Sequence, residues 1–104
     1  MKITLIGSTS YNNKFEKYKE SLEQQGHKVR IPLFDNDNWS EFDTCDYNRN
    51  CIKWADEVHV IWDGRSQGTI FDLGMCFALR KKIKVQYINP RNFTNFIEQY
   101  ADMG

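Results

Sequence analysis

Apolar residues recur along this chain with two periods, and the two alternate. Lys2 to Ile6 (KITLI) is a compact β-branched run closed by Gly7, Ser8, Thr9 and Ser10, which predicts a strand. Phe15, Tyr18, Lys19 and Leu22 then follow helical spacing as far as Gly26, a residue suited to end a helix. Lys28 to Ile31 (KVRI) predicts a second short strand, stopped by Pro32. From Leu33 to Tyr47 the chain is polar and aromatic without a sustained period, which predicts a long loop, mobile or part of a site. Asn48 to Ala55 predicts a helix with Cys51, Ile52 and Ala55 inward, and Glu57 to Trp62 (EVHVIW) is the clearest strand. Gly68 to Lys82 predicts the next helix and Lys84 to Ile88 a strand closed by Asn89 and Pro90. Phe93, Phe96, Ile97 and Tyr100 outline a last helix.

Strands separated by helices, with no tight hairpin dipeptides between them, imply βα units and a parallel sheet covered on both faces. The expected fold is α/β: a three-layer, mainly parallel, four-stranded sheet, flavodoxin- or Rossmann-like, in strand order 2-1-3-4 with Lys84 to Ile88 at an edge. A chain of 104 residues accommodates one such domain, taken as 1–104. Right-handed crossovers bring every strand C-terminus to one edge of the sheet. The loops Gly7 to Asn13, Leu33 to Tyr47, Asp63 to Gly68 and Asn89 to Asn92 therefore share that edge. The first and third hold glycines beside hydroxyl side chains and lead into helix N-termini, where unpaired N–H groups favour a phosphate or a carboxylate. Neither is a nucleotide fingerprint by itself. GSTSYNN lacks the dinucleotide glycines, and GRSQGT lacks the lysine of a P-loop.

Charge narrows the partners. Lysine plus arginine equals aspartate plus glutamate at 14 each, which argues against broad electrostatic capture of a nucleic-acid polymer or an anionic membrane and leaves a small anionic ligand open. The three cysteines lack CxxC spacing and read as reduced thiols, so a cytoplasmic location is expected. His27 and His59 fall in a turn and a strand, so no metal site emerges and no cofactor is expected. No run is long and apolar enough for a membrane span.

The residue that stands out chemically is Asp72, a carboxylate among Ile70, Phe71, Leu73 and Met75 near the start of a helix. An acid serving only solubility belongs on the wet face, although an aspartate near a helix N-terminus is also a common stabilising feature. Asp63 ends an apolar strand at the ligand edge and fits either a function or a turn cap. Asp56 fits a structural role at a helix-strand junction. Tyr11 follows the first loop closely enough to meet a ligand. Arg65 fits a phosphate or solvent. Trp39 and Phe42 fit base stacking or core cover, and Trp62 fits packing.

LIGSTSYNN, IPLFD and ADEVHVIWDGRSQGTIFDLGMCFALRKKIKV together resemble the nucleoside 2-deoxyribosyltransferase-like superfamily, which includes deoxynucleoside 5′-monophosphate N-glycosidases. The resemblance rests on Asp56, Asp63, Gly68 with Thr69, Asp72 with Gly74, Ala78, and Lys82 leading into Val85. It implies cleavage of an N-glycosidic bond, or transfer of the sugar, with Asp72 as the carboxylate below C1′ and Asp63 beside the sugar. It further implies that Gly7, Ser8, Thr9 and Ser10, with Ser66, Gly68 and Thr69, hold the sugar or its 5′-phosphate, and that Tyr11 and Asn50 lie within reach of the ligand. The implied partners are a small nucleoside or nucleotide and a second copy of the chain, with Trp39, Phe42, Trp54, Phe77 or Tyr100 supplying apolar contacts.

Two positions depart from that family's pattern. Asp72 stands where glutamate is usual, one methylene shorter, and Asn48 and Asn50 stand where an acid is expected. Asparagine binds a hydroxyl but does not serve as the same acid or base. Asp43, Asp46 or a neighbouring subunit could compensate. Non-catalytic nucleotide or nucleotide-sugar binding, as in a sensor, is the competing reading, and a protein-binding module built on the loop around Trp39 is a third.

Overall fold

The computed structural model describes residues 1–32, 38–88 and 94–103. The parts of the expected loops at Leu33 to Asp37 and at Asn89 to Asn92, and Phe93 of the expected last helix, lie outside the described residues. The elements run β1 (Lys2–Gly7), a 3₁₀ turn (Thr9–Tyr11), α1 (Asn12–Gln24), β2 (Lys28–Arg30), α2 (Glu41–Trp54), β3 (Glu57–Trp62), α3 (Gln67–Ala78), β4 (Lys82–Ile88) and α4 (Thr94–Met103). The sheet has four strands in the order β2-β1-β3-β4, the expected order, and every pairing is parallel. No helix among the described residues is long and apolar enough to cross a membrane.

Both faces of the sheet are covered because β3 is buried along its whole length and its side chains alternate between two cores. Val58, Val60 and Trp62 pack with Ile52 of α2, Leu73 and Cys76 of α3, Ile83 of β4 and Ile97 of α4. On the other face Ile61 joins Ile3, Leu5, Phe15 and Leu22 beneath α1. Glu57 and His59 share the parity of Ile61, and both are buried. A neutral imidazole satisfies their surroundings, with the Tyr18 hydroxyl donating to Nδ1 at 3.0 Å and Nε2–H donating to Glu57 Oε1 at 2.7 Å. Desolvation holds the His59 pKa below its ordinary value against the pull of Glu57.

Three element boundaries differ from the sequence reading, each for a local reason. α2 begins at Glu41, two turns before the expected Asn48, because Ser40 and Asp43 form a capping box: Ser40 Oγ accepts from Asp43 N and Asp43 Oδ2 accepts from Ser40 N, both at 3.1 Å. α3 stops at Ala78 rather than Lys82. Arg80 sits in the left-handed region at φ 54°, with Arg80 N bonded to Phe77 O and Lys81 N to Cys76 O. That is the Schellman arrangement that closes α1 at Gly26, where Gly26 N reaches Glu23 O and His27 N reaches Leu22 O. Because an arginine occupies the position usually held by glycine, the stop was not legible. β4 in consequence starts at Lys82, and a register shift opposite Val60/Ile61 pairs Val85 with Val60 but Tyr87 with Ile61.

Gly7 is required by close approach. A Cβ there would lie 1.7 Å from Ile61 O and 2.7 Å from the Phe15 ring. Gly7→Ala is therefore expected to lose more than about 3 kcal/mol in urea unfolding or to fail to fold. Arg80→Gly is expected to gain about 1 kcal/mol by relieving the left-handed backbone.

Candidate functional site

The close contact of β1 with β3 sets the first loop. Ser8, itself buried, donates its N–H to Ile61 O at 3.1 Å and accepts Asp63 N–H on Oγ at 2.9 Å. Tyr11 N returns to Ser8 O at 2.9 Å and closes the 3₁₀ turn. Ser10 Oγ donates to Asp63 Oδ2 at 3.2 Å, so the loops after β1 and β3 are tied across the point where the strand order reverses. Oδ1 of Asp63 accepts from Arg65 N at 2.8 Å and Ser66 N at 3.0 Å. Desolvation pushes its pKa up, but those two N–H donors with the Ser8 and Ser10 hydroxyls outweigh it and hold the group below its ordinary value.

This knot places α3. Trp62 Nε1–H donates to Ser66 O at 3.1 Å, and Ser66 Oγ caps the helix by accepting Thr69 N–H at 3.4 Å. The inward face of α3 then carries Thr69, Asp72, Leu73 and Cys76. Asp72 is 5% exposed, and the Asn48 amide of α2 donates to its Oδ2 at 3.5 Å, the long limit of a hydrogen bond. Desolvation lifts the Asp72 pKa to about 7, and the Asn48 amide only partly offsets it. Cys76, one turn further on, is pushed up to about 12 by burial and then by Asp72, so its thiol stays protonated and inert.

The sequence candidates thus divide. Asp72, Thr69 and Ser66 share the start of α3; Ser8 and Ser10 bind to Asp63, the backbone amide and the carboxylate of which are engaged in loop structure. Gly68 is exposed and a Cβ there would meet only Ser66 Oγ at 3.9 Å, so packing does not demand glycine. Thr9 belongs to the 3₁₀ turn, and its side chain lies outside the described set. Asn50 is exposed, two residues and so some 200° round α2 from Asn48. Asn48, not Asn50, meets Asp72. Its spacing to Cys51, Ile52 and Ala55 was the available signal. Asp56 binds the Lys2 backbone through Oδ2 at 2.9 Å, the structural role expected of it.

Tyr87 carried no sequence signal, because the register shift in β4 hides its side. Its ring meets Tyr11 edge-on at 5.2 Å, and the Lys14 ammonium lies 4.8 Å above it. Among the described residues no group of three or more His, Cys, Asp or Glu side chains is placed to hold a metal ion.

Family models and curated proteins return no match to this chain. The solved structure of Clostridium botulinum CMP N-glycosidase, BcmB, superposes with a TM-score of 0.72 at 23% identity, over 98% of this chain and 81% of that one. The two chains share a fold. The resemblance read from the sequence is borne out at the level of the fold.

Burial of Asp72 has a measurable signature. Between its unfolded pKa of 3.8 and about 7, the folded chain holds a proton that the unfolded chain releases, so stability falls as pH rises through that window and levels off above it. Asp72→Asn is expected to remove this slope and, above pH 7, to exceed the parent by up to roughly 4 kcal/mol in urea unfolding across pH 4 to 9.

Proposed function

We propose that this domain cleaves the N-glycosidic bond of a nucleoside or nucleoside 5′-monophosphate, with Asp72 as nucleophile. The observation that carries the reading is a carboxyl buried at the inner face of α3, met by the neutral Asn48 amide, on the fold of a CMP N-glycosidase. An ionised Asp72 oxygen bonds to C1′ as the C1′–N bond breaks and its electron pair leaves on the base, which takes a proton from solvent. Water, giving up its proton, then opens the sugar ester. Withdrawal from water favours this attack, because the carboxylate loses its own desolvation penalty as charge builds on C1′. Asp63 is a poor proton donor, being held ionised by its four hydrogen-bonding neighbours.

Incubation with a panel of nucleosides and 5′-monophosphates, followed by chromatography for free base, tests the reading. Turnover is expected to rise with pH to a plateau above about pH 7 as Asp72 ionises. Asp72→Asn is expected to lower kcat by at least about 10³-fold while keeping the fold. Turnover unchanged in that variant would remove Asp72 from the role. The raised pKa also suits a non-catalytic binder, in which a protonated Asp72 donates to a ligand; binding without base release across the panel selects that reading.

The working unit proposed is a homodimer packed through α2 and α3. Trp54 lies beneath Arg30 at 4.1 Å, Trp39 meets Tyr47 and Phe77 meets Tyr100, so these aromatics have partners within the chain. Phe42 and Phe71, 74% and 56% exposed, line a groove of about 120 Å³ between the two helices. α2 carries Glu41 and Asp43 in its first turn and Lys53 in its last, with Asp46 and Arg49 paired between them. Run antiparallel about a two-fold axis, the helix is complementary to itself. Light scattering is expected to give about twice the 12.4 kDa chain mass, and Phe42→Glu to return the monomer.

A further inference from the structure

Among the described residues, the Thr69 hydroxyl is the buried side-chain polar atom without a hydrogen-bond partner, on a residue only 1% exposed. An unpaired buried hydroxyl weighs against stability, and valine would fill the same space without that penalty. One turn along the same inward face stands the Asp72 carboxyl, and the Asn48 amide reaches it from α2. At 3.5 Å that contact is weak, and the amide keeps a second N–H and its carbonyl oxygen for another partner. Hydroxyl and carboxyl thus share the inward face of α3, with the Asn48 amide against the carboxyl.

The stereochemistry of the proposed attack on C1′ says what the two neutral groups meet. A carboxylate displacing a base from C1′ of a β-nucleoside approaches the face of the ring opposite the base. In ribose the 2′-hydroxyl projects from the adjacent carbon on that same face, so groups beside the carboxylate lie beside the 2′-oxygen. Hydrogen bonds to this hydroxyl strengthen as the oxocarbenium state forms. We propose that Thr69 and Asn48 read the 2′-hydroxyl of the ligand, making the site selective for a ribonucleotide over its 2′-deoxy counterpart; this rests on the N-glycosidase reading above. A deoxy sugar leaves the Thr69 hydroxyl unpaired and gives the Asn48 amide no partner beyond Asp72.

Thr69→Val removes the hydroxyl and little else. Its urea midpoint is expected to equal or exceed that of the parent. With CMP and dCMP as probes, the parent is expected to favour CMP by at least about 10-fold in kcat/KM, and Thr69→Val to bring the ratio to within about 3-fold. Asn48→Ala is expected to narrow the ratio too, and also to move the acid limb of the pH profile upward, since it takes a donor from the Asp72 carboxylate. A CMP to dCMP ratio unchanged in Thr69→Val overturns the proposal. A marked loss of stability overturns it as well, because the hydroxyl then has a structural partner such as an ordered water. Absence of turnover on every nucleotide counts against the N-glycosidase reading. The proposal is then decided by NMR titration with ribose 5-phosphate and 2-deoxyribose 5-phosphate: a ribose preference abolished by Thr69→Val upholds it, and equal binding or none overturns it.

Discussion

The arrangement around Asp72 depends on the hydrogen bonds gathered at Asp63. Through its backbone N–H it holds Ser8, through Oδ2 it holds Ser10, and through Oδ1 it fixes the Arg65–Ser66 turn that caps α3. No single one of these bonds is strong. Because one residue takes part in all of them they are mutually dependent, so a shift of the loop after β1 moves the start of α3. Asp63 thereby sets the position of the helix on whose inner face Asp72 is buried.

That arrangement explains which parts were legible in the sequence. The period-2 runs at Lys2 to Ile6 and Glu57 to Trp62, each ending in polar turn residues, specified two central parallel strands and their C-terminal edge. Asp72 stood out because its neighbours are apolar. Asp63 offered two readings, and only coordinates show both carboxylate oxygens engaged in loops. The start of α2 was written as Ser40 to Asp43, but aspartate at the third helical position replaces the glutamate that makes a capping box conspicuous. Asn48 departs from the acid the resemblance implies, but its position on the helix face, three, four and seven residues before Cys51, Ile52 and Ala55, is the more informative property. The end of α3 and the side of Tyr87 were hidden by an arginine in a glycine conformation and by a strand irregularity, neither of which leaves a compositional trace.

Burial and polarity oppose each other at the inner face of α3. Thr69, Asp72 and Asn48 occupy positions where apolar residues would pack better, next to Leu73, Cys76 and Ile52. A domain of this size has little stability to spare, and a buried polar group left without a partner weighs against it. The Glu57–His59–Tyr18 chain on the opposite face shows the contrast: its polar atoms are matched to one another, and it reads as architecture.

The β4 strand carries a different obligation. Among the described residues it lies at the border of the sheet with one side of its backbone unpaired by any strand, and its sequence KIKVQYI is rich in residues that favour extended chains. Lys82 and Lys84 are exposed along it, in alternation with the inward Ile83 and Val85. Two like charges two residues apart repel a second copy of the same strand that tries to add in register. Lys82 and Lys84 thus act as guards against edge-to-edge aggregation, and neutralising both would leave a fold of unchanged architecture with a border prone to recruit its own kind.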